Sequence, residues 1–427
     1  MRRNLNWSEE IKDEFELVKK LGLGSYSTVW EVKHKATGRR FAIKHEESIF
    51  NHIEACRNIL REIRLLHYLQ HEGIVNLFDV RTTSYPEYDD LLIILDLHAT
   101  DLKKFIRTTK TISEQNIKAI MYGLLKIVKY LHSAGVLHRD IKPANILLSK
   151  EGKPVLCDFG LARGSIKEEH FYLPRKENTD EELGEEHKSE EIKKINGEEY
   201  SSKSCDPQEC RKSTKDLTGY VATRWYRAPE IILCRANYGS GIDVWGLGCV
   251  FAELLSTANS DVKPEDRKSF FPGNSSYPYS PAKSEKLKCG ISMIQTDQLN
   301  VILKTLGAPS KKDCEFIKDE KKAKVLMEMH TQKPELDKRI PSAGKDAIDL
   351  LKNMLEFSPI MRATVDECLA HPYFLDIRDK ASEVTAPAKA EFDFETQSYL
   401  SKEKLKELID EELNWFKGLR DRGKIMW

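Results

Sequence analysis

The residues of this chain best suited to handling phosphate and metal charge sit in short, separated clusters. HRDIKPAN (138–145) places an aspartate, a lysine and an amide in one run: Asp140, Lys142 and Asn145. CDFG (157–160) adds Asp158 behind an apolar stretch, and FAIK (41–44) carries Lys44 in another. Moving a phosphoryl group asks a protein for little covalent chemistry but for several charges held in place. One carboxylate must accept the proton of the attacking hydroxyl, which suits Asp140. Magnesium takes hard oxygen ligands, which Asn145 and Asp158 offer. Lys142 is suited to lie against the transferring group, and Lys44 against the phosphates behind it.

The other clusters are more ambiguous. In GLGSYSTV (22–29), Gly22 and Gly24 let backbone approach a phosphate chain, yet the same residues make an ordinary hairpin turn, and Ser27 stands where a third glycine is usual. Lys44 needs an anion if it is buried, either a phosphate or Glu62 of LREIRLL; as an edge-strand residue it would instead extend to solvent. LTGYVATRWYRAPE (217–230) sets Thr218 and Tyr220 ahead of Arg224 and Arg227. That is either a place to put and hold phosphate or a polar turn leading into a helix.

These residues need elements to hold them. From Phe15 to about Leu97, FELVKKLGLG and STVWEVKHK alternate apolar and polar residues around a glycine turn, as hairpin strands do. RRFAIKHE reads as a third strand and LLIILDL as a buried one. Between them IEACRNILREIRLLHYL changes to helical spacing, with Ile59, Ile63, Leu66 and Leu69 on one side. Beyond Leu97 the chain turns helical, as in IKAIMYGLLKIVKYLHSAG with its stop at Gly135. The coarse reading is α+β: a small β-rich lobe with one helix, then a larger, mainly helical lobe. Residues 164–217 are about half charged and poor in apolar groups, which predicts disorder, and 257–290 read as a second surface insertion.

Composition narrows the function classes. Across 427 residues, 68 acidic and 68 basic side chains balance, which gives no pull toward nucleic acid or membrane surfaces. The start has no apolar leader, and no run reaches the ~18 apolar residues of a membrane span. Nine cysteines without a secretory signal point to reduced thiols inside the cell. Cys205 and Cys210 have no matching second pair, so no metal site is expected there.

Taken in order, the glycine loop, FAIK, HRDIKPAN, DFG and APE (228–230) resemble the protein kinase signature set, a known pattern whose members all occur here in their usual sequence. DLHATDL (96–102), CDFGLAR, TGYVATRWYRAPE, DVWGLGCVFAELL, FFPG, DQLNVILKTLGAPS, HPYF and FDFETQSYLSKEKLKELIDEEL are similar to the mitogen-activated protein kinases. The likeness runs from about residue 15 to 415, apart from the two insertions. It implies a two-lobed kinase fold: 1–14 an extension, 15–97 the N-lobe, 98–375 the C-lobe, and 376–427 a tail with a docking patch and a helix on the N-lobe. It implies ATP and Mg2+ as cofactors and protein substrates with Ser/Thr-Pro sites. The nucleotide would meet Leu21, Gly22, Leu23, Gly24, Ser25, Tyr26, Ser27, Thr28, Val29, Ala42 and Lys44. Asp96 and His98 would bind the base through their main chain, with Leu95 as gatekeeper.

By the same resemblance, Glu62 pairs with Lys44, and Asp140, Lys142 and Asn145 form the catalytic loop. An upstream dual-specificity kinase, or autophosphorylation, would phosphorylate Thr218 and Tyr220. Arg61, Arg139 and Arg163 would hold the first phosphate, and Arg224 and Arg227 the second. Asn58 replaces an arginine common in the family, which puts the geometry of that clamp in question. Glu230 would pair with Arg362, and Asp379 and Glu383 would dock basic-hydrophobic peptides, although Ser382 stands where a second aspartate is common. In the final helix Leu405, Leu408, Ile409 and Trp415 would pack on the small lobe. A monomer shared between cytoplasm and nucleus is expected, without nucleic-acid or membrane partners. Two other classes remain compatible: a kinase-fold scaffold without turnover, against which Lys44, Asp140, Asn145 and Asp158 all speak, and a proline-directed kinase run by a partner subunit, against which Tyr220 speaks.

Overall fold

A computed structural model describes residues 7–24, 27–164, 224–234, 239–258, 262–273, 298–328, 334–397, 399–425 and 427. Ser25, Tyr26, Thr218, Tyr220, nearly all of 164–217 and most of 257–290 therefore lie outside the described residues.

The alternating segments form an antiparallel sheet ordered β1-β2-β3-β5-β4. Its strands are β1 (Phe15–Leu23), β2 (Ser27–His34), β3 (Arg40–Glu47), β4 (Leu77–Arg81) and β5 (Asp90–Asp96). A short helix, α1 (Glu9–Glu14), precedes it, capped by the Ser8 side chain. Helix α2 (Ile53–Tyr68) follows β3 and buries Ile59, Ile63 and Leu66 as its spacing predicts, but it buries Arg61 and Glu62 as well. Two charged side chains on the inner face of a helix require partners there.

Past β5 the chain makes β6 (Thr100–Asp101), α3 (Leu102–Thr108) and α4 (Glu114–Ser133), the last capped by Ser113. Strands β7 (Ile146–Leu148) and β8 (Pro154–Leu156) join β6 in a second small sheet. Helices α5 (Pro229–Cys234) and α6 (Gly241–Ser256) come next. Every residue of α6 from Ile242 to Leu255 is buried. A helix apolar on nearly all sides belongs at the centre of a large lobe, and it can serve as a fixed post for its neighbours.

The last helix, α7 (Lys402–Asp421), lies against α2 and β4. Leu405, Leu408, Ile409, Leu413 and Phe416 carry the contact. Trp415, expected on this face, is 42% exposed and lies over His67, with ring centroids 3.9 Å apart, and edge-on to Phe416. One residue is about 100° of helix rotation, so Phe416 takes the inward place. Among the described residues, no helix is long and apolar enough to cross a membrane.

Candidate active site

The hairpin β7–β8 assembles the acidic pair. Its register sets Ile146 opposite Leu156, so the residues flanking it, Asn145 and Cys157, meet. The Cys157 amide donates to the Asn145 carbonyl at 3.0 Å, which brings Asp158 beside the 140–145 loop. Asp158 holds a left-handed backbone, φ 65°, and Phe159 behind it is fully buried edge-on to the His138 ring, 5.0 Å between centroids. An aspartate tolerates that conformation only when its surroundings enforce it.

The loop itself is bolted to α6. Asp243, buried in that helix, accepts from the His138 amide at 2.9 Å, the Arg139 amide at 2.8 Å and His132 Nε2 at 3.0 Å. These bonds fix Arg139 at φ 68°. They hold the Asp243 carboxyl below the usual range although burial alone would raise it.

Asp140 is divided between two tasks. Its Oδ2 accepts from Lys142 Nζ at 2.6 Å and from Asn145 Nδ2 at 3.0 Å. Its Oδ1 is buried with no partner. A buried oxygen left unpaired in so tightly bonded a loop suits a group that receives a proton from outside the protein. Burial raises its proton affinity, and Lys142 only partly offsets this. Lys142, expected against the transferring group, here steadies Asp140. Asn145 donates through Nδ2 to the Asp140 carbonyl as well, at 3.0 Å, which leaves its Oδ1 as the oxygen for a cation.

Lys44 reaches this centre from β3, where it sits opposite Ile93 of β5. Its Nζ donates to Glu62 at 2.7 and 3.0 Å, lies 3.1 Å from Glu46 and 3.9 Å from Asp158. Burial would strip its proton, but the carboxylates of Glu62, Asp158 and Glu46 outweigh that and keep it charged. Burial and the same crowding push Glu62 upward, against the pull of Lys44. Burial also acts on Asp158, but Lys44, Lys142 and His138 hold its carboxyl below the usual range. Its side chain remains 46% exposed. An ionised, accessible carboxylate together with the Asn145 amide oxygen is a donor set that fits magnesium better than a softer metal. No group of three or more His, Cys, Asp or Glu suited to a metal ion occurs among the described residues.

Above this centre, the Gly24 amide donates to the Ser27 carbonyl at 2.8 Å and closes the β1–β2 turn. A Cβ on Gly24 would come within 2.8 Å of Ser27 Oγ, so the serine in place of a third glycine occupies the space that Gly24 vacates. A Cβ on Gly22 would meet nothing within 4 Å, so that backbone borders open space. Leu21 and Leu23 are exposed, Ser27, Thr28 and Val29 half-buried, and Ala42 and Leu95 buried. At the strand linking the lobes, the Asp96 amide is taken by the Asn76 carbonyl at 3.1 Å, leaving Asp96 only its carbonyl to offer. The Asp96 carboxylate pairs with Arg39 at 3.0 Å.

Three of the arginines expected to bind phosphate, Arg61, Arg139 and Arg163, gather around residues 160–163. Leu137 and Arg163 exchange backbone hydrogen bonds of 2.9 Å each way, Arg139 Nη1 donates to the Leu161 carbonyl at 3.2 Å, and Arg61 Nη1 to the Gly160 carbonyl at 3.5 Å. Arg224 and Arg227 are half-buried. Arg61, however, is already engaged: Nε and Nη2 form a paired contact with Glu395, and Nη1 donates to Asn58 Oδ1 at 2.6 Å. Asn58 thus completes the Arg61 site in place of the missing arginine.

Two further expectations divide. Glu230 and Arg362 form the expected buried pair, Oε1 to Nη1 at 2.6 Å and Oε2 to Nη2 at 3.0 Å. The docking pair, by contrast, does not face outward together. Asp379 is exposed, but Glu383 is buried and accepts from Arg378 Nε at 2.8 Å, Lys129 at 3.2 Å and the Tyr122 hydroxyl at 3.2 Å. Glu383 is an internal brace, because three donors from α4 and its own turn surround it. Sequence reasoning also missed Asp243 and Glu395. Only the placement of Asp243 in a nearly apolar helix marked it.

Residues 15–206 and 205–269 match the family profile of the protein kinase domain. The chain is 33% identical over 411 residues, 95% of this chain and 96% of that protein, to mitogen-activated protein kinase mpkB of Aspergillus fumigatus. It is 32% identical over 411 residues to mitogen-activated protein kinase PMK1 of Pyricularia oryzae, 95% of each chain. It is 30% identical over 404 residues to mitogen-activated protein kinase 13 of Arabidopsis thaliana, 94% of this chain and 90% of that one.

Proposed function

Because this chain belongs to the protein kinase family, as a serine/threonine kinase of the mitogen-activated type, we propose that it phosphorylates serine or threonine followed by proline, using magnesium-bound ATP, and is switched on at Thr218 and Tyr220. The observation that carries the catalytic part is Asp140, with Oδ2 fixed by Lys142 and Asn145 and Oδ1 buried and unpartnered.

Bound MgATP supplies the phosphoryl group and the charge of its metal. The chain's own residues do the positioning. Asn145 Oδ1 and the Asp158 carboxylate would hold the magnesium, Lys44 and the backbone at Gly22 to Gly24 the phosphates, and the Asp96 carbonyl and His98 amide the base. Among the described residues the His98 amide has no protein partner, as suits a group kept for a ligand. Asp140 Oδ1 takes the substrate hydroxyl's proton as the oxygen attacks. Lys142, 2.6 Å from Oδ2, keeps the carboxylate oriented and ionised.

The switch follows from charge. Each phosphate adds about −1.5 to −2, and arginines capture such groups through paired hydrogen bonds. Arg139 and Arg163 beside residues 160–163, with Arg224 and Arg227 after Tyr220, support that role. Docking of basic peptides is proposed for the exposed Asp379 alone, Glu383 serving to hold its turn.

Substrate choice is tested with paired peptides that differ only in Ser-Pro against Ser-Ala. The Ser-Pro peptide is expected to show a kcat/KM higher by about tenfold or more, on the scale of one lost pocket contact. Equal values for both peptides would refute the proline-directed assignment.

A further inference from the structure

We propose that Glu395, in the C-terminal segment, is a positioning residue for the kinase reaction: through Arg61 it seats helix α2 so that Glu62 grips Lys44 without any phosphate bound to the clamp.

The contact is built as a site. Arg61 is fully buried, and the Glu395 carboxylate is 8% exposed. Both of its oxygens face the same guanidinium, one on Nε and one on Nη2, the second at 3.1 Å. A bidentate arginine–carboxylate contact is among the stronger and more directional bonds a protein makes. Arg61 directly precedes Glu62, so whatever fixes the one fixes the other. The fourth nitrogen contact, from Arg61 Nη1 to the Gly160 carbonyl, ties the same guanidinium to the glycine that follows Asp158 and Phe159. One side chain thereby joins the tail, α2 and the metal-binding segment.

Glu395 stands on a fixed platform. Arg57, one turn earlier on α2, donates through Nη2 to the carbonyls of Phe394, Glu395 and Gln397 at 2.8, 3.1 and 3.1 Å. Phe394 is buried, with the Arg64 guanidinium 5.4 Å from its ring centre. Arg64 in turn bonds Glu412 and Glu411 of α7, each at 2.9 Å. Three arginines of α2, at 57, 61 and 64, thus hold the tail. Arg64 also binds carboxylates but is partly exposed, whereas Arg61 is a fully buried guanidinium gripping both oxygens of one anion, the form of a phosphate contact.

The consequence divides activation into two parts. The Lys44–Glu62 pair is in place already, at 2.7 Å, so ATP binding does not wait for phosphorylation. What phosphorylation adds acts on the 217–230 segment and the peptide. This division rests on the proposed switch at Thr218 and Tyr220; the positioning role of Glu395 does not.

The test is steady-state kinetics of the full-length protein and its Glu395→Gln variant, with MgATP varied, in unmodified and doubly phosphorylated forms. In the unmodified protein, Glu395→Gln is expected to raise KM for ATP about tenfold, the scale of one lost charge-assisted bond. Wild-type KM for ATP should not change on phosphorylation. The charge exchange Arg61→Glu with Glu395→Arg is expected to recover part of the loss in KM for ATP. Hydrogen exchange on the unmodified wild type gives a readout that needs no variant: α2 amides should already be protected. An unchanged KM in Glu395→Gln, or α2 amides protected only after phosphorylation, would overturn the proposal. If KM behaves as stated but phosphorylation leaves every rate unchanged, the switch fails and the role of Glu395 stands.

Discussion

Replacing Asp140 by asparagine is expected to lower kcat for peptide phosphorylation by about 10²–10⁴-fold, the range spanned by a positioned general base. Nucleotide binding should be nearly unchanged, because Lys44, Glu62 and Asp158 stay in place. Asparagine keeps the shape of the side chain and can still meet Asn145 and Lys142 through its oxygen, but it has no carboxylate to receive a proton. Acidification should reproduce the loss in the wild type. Burial raises the proton affinity of Asp140, so the ionised form disappears at a higher pH than for an ordinary aspartate, and the acid limb of kcat should lie above the usual range of about 3.9. Lys142 is the largest influence pulling the other way, so Lys142→Met should shift that limb further up. A limb that moves down in Lys142→Met, or an Asp140→Asn enzyme with near wild-type kcat, would remove Asp140 as the base.

The second large effect concerns the frame. Arg362→Met should cost about 3–5 kcal/mol of stability, because it leaves Glu230 charged and unpaired in the interior. Both side chains are essentially inaccessible, and Arg362 also donates to the carbonyls of Glu356 at 3.0 Å and Gly241 at 2.9 Å. It lies over the Trp245 ring, 5.0 Å from its centre. The guanidinium thus holds α5 and the start of α6 to the 356–362 loop. A domain has roughly 5–15 kcal/mol in all, so the variant should sit near its unfolding threshold. Replacing both partners, Glu230→Leu with Arg362→Met, should restore part of the loss, since no bare charge remains. Urea unfolding followed by tryptophan fluorescence measures both. A loss below about 1 kcal/mol in the single variant would show that Glu230 finds another partner or a proton, outside the usual cost of a broken buried pair.

Much of the centre was legible in sequence because phosphate chemistry restricts residue types. Lys44, Asp140, Asn145 and Asp158 each carry a charge or oxygen that nothing apolar can replace, and they fall in short runs. Glu62 was legible as the acid of LREIRLL that a buried Lys44 would need, although the helical spacing did not place it on the inner face. The alternation of β1 to β3 and the apolar run of β5 named the sheet. What was not legible depends on partners far along the chain. Asp243 reads as an acid in an apolar helix until the amides of His138 and Arg139 are found on it. Glu395 lies in a charged tail where any glutamate reads as solvated. Glu383 looked like a surface acid and is buried, because Lys129, Tyr122 and Arg378 close over it. Strands β6 to β8 have two or three residues each, too few for a period to register. Trp415 and Phe416 are adjacent aromatics; Trp415 was expected on the packing face, and the structure turns Phe416 inward instead.

The measurement closest to the central claim is the rate of phosphate transfer from MgATP to a Ser-Pro peptide, compared between the unmodified protein and protein doubly phosphorylated at Thr218 and Tyr220, with site occupancy confirmed by mass spectrometry. The expected result is a gain in kcat/KM for peptide of about 10²-fold or more, a scale set by assembly of a positioned site, with KM for ATP unchanged and with no turnover gained when Asp140 is asparagine. Equal activity in the two forms would contradict the switch. Absence of turnover in both, with ATP still bound, would contradict the assignment of this chain as an active kinase.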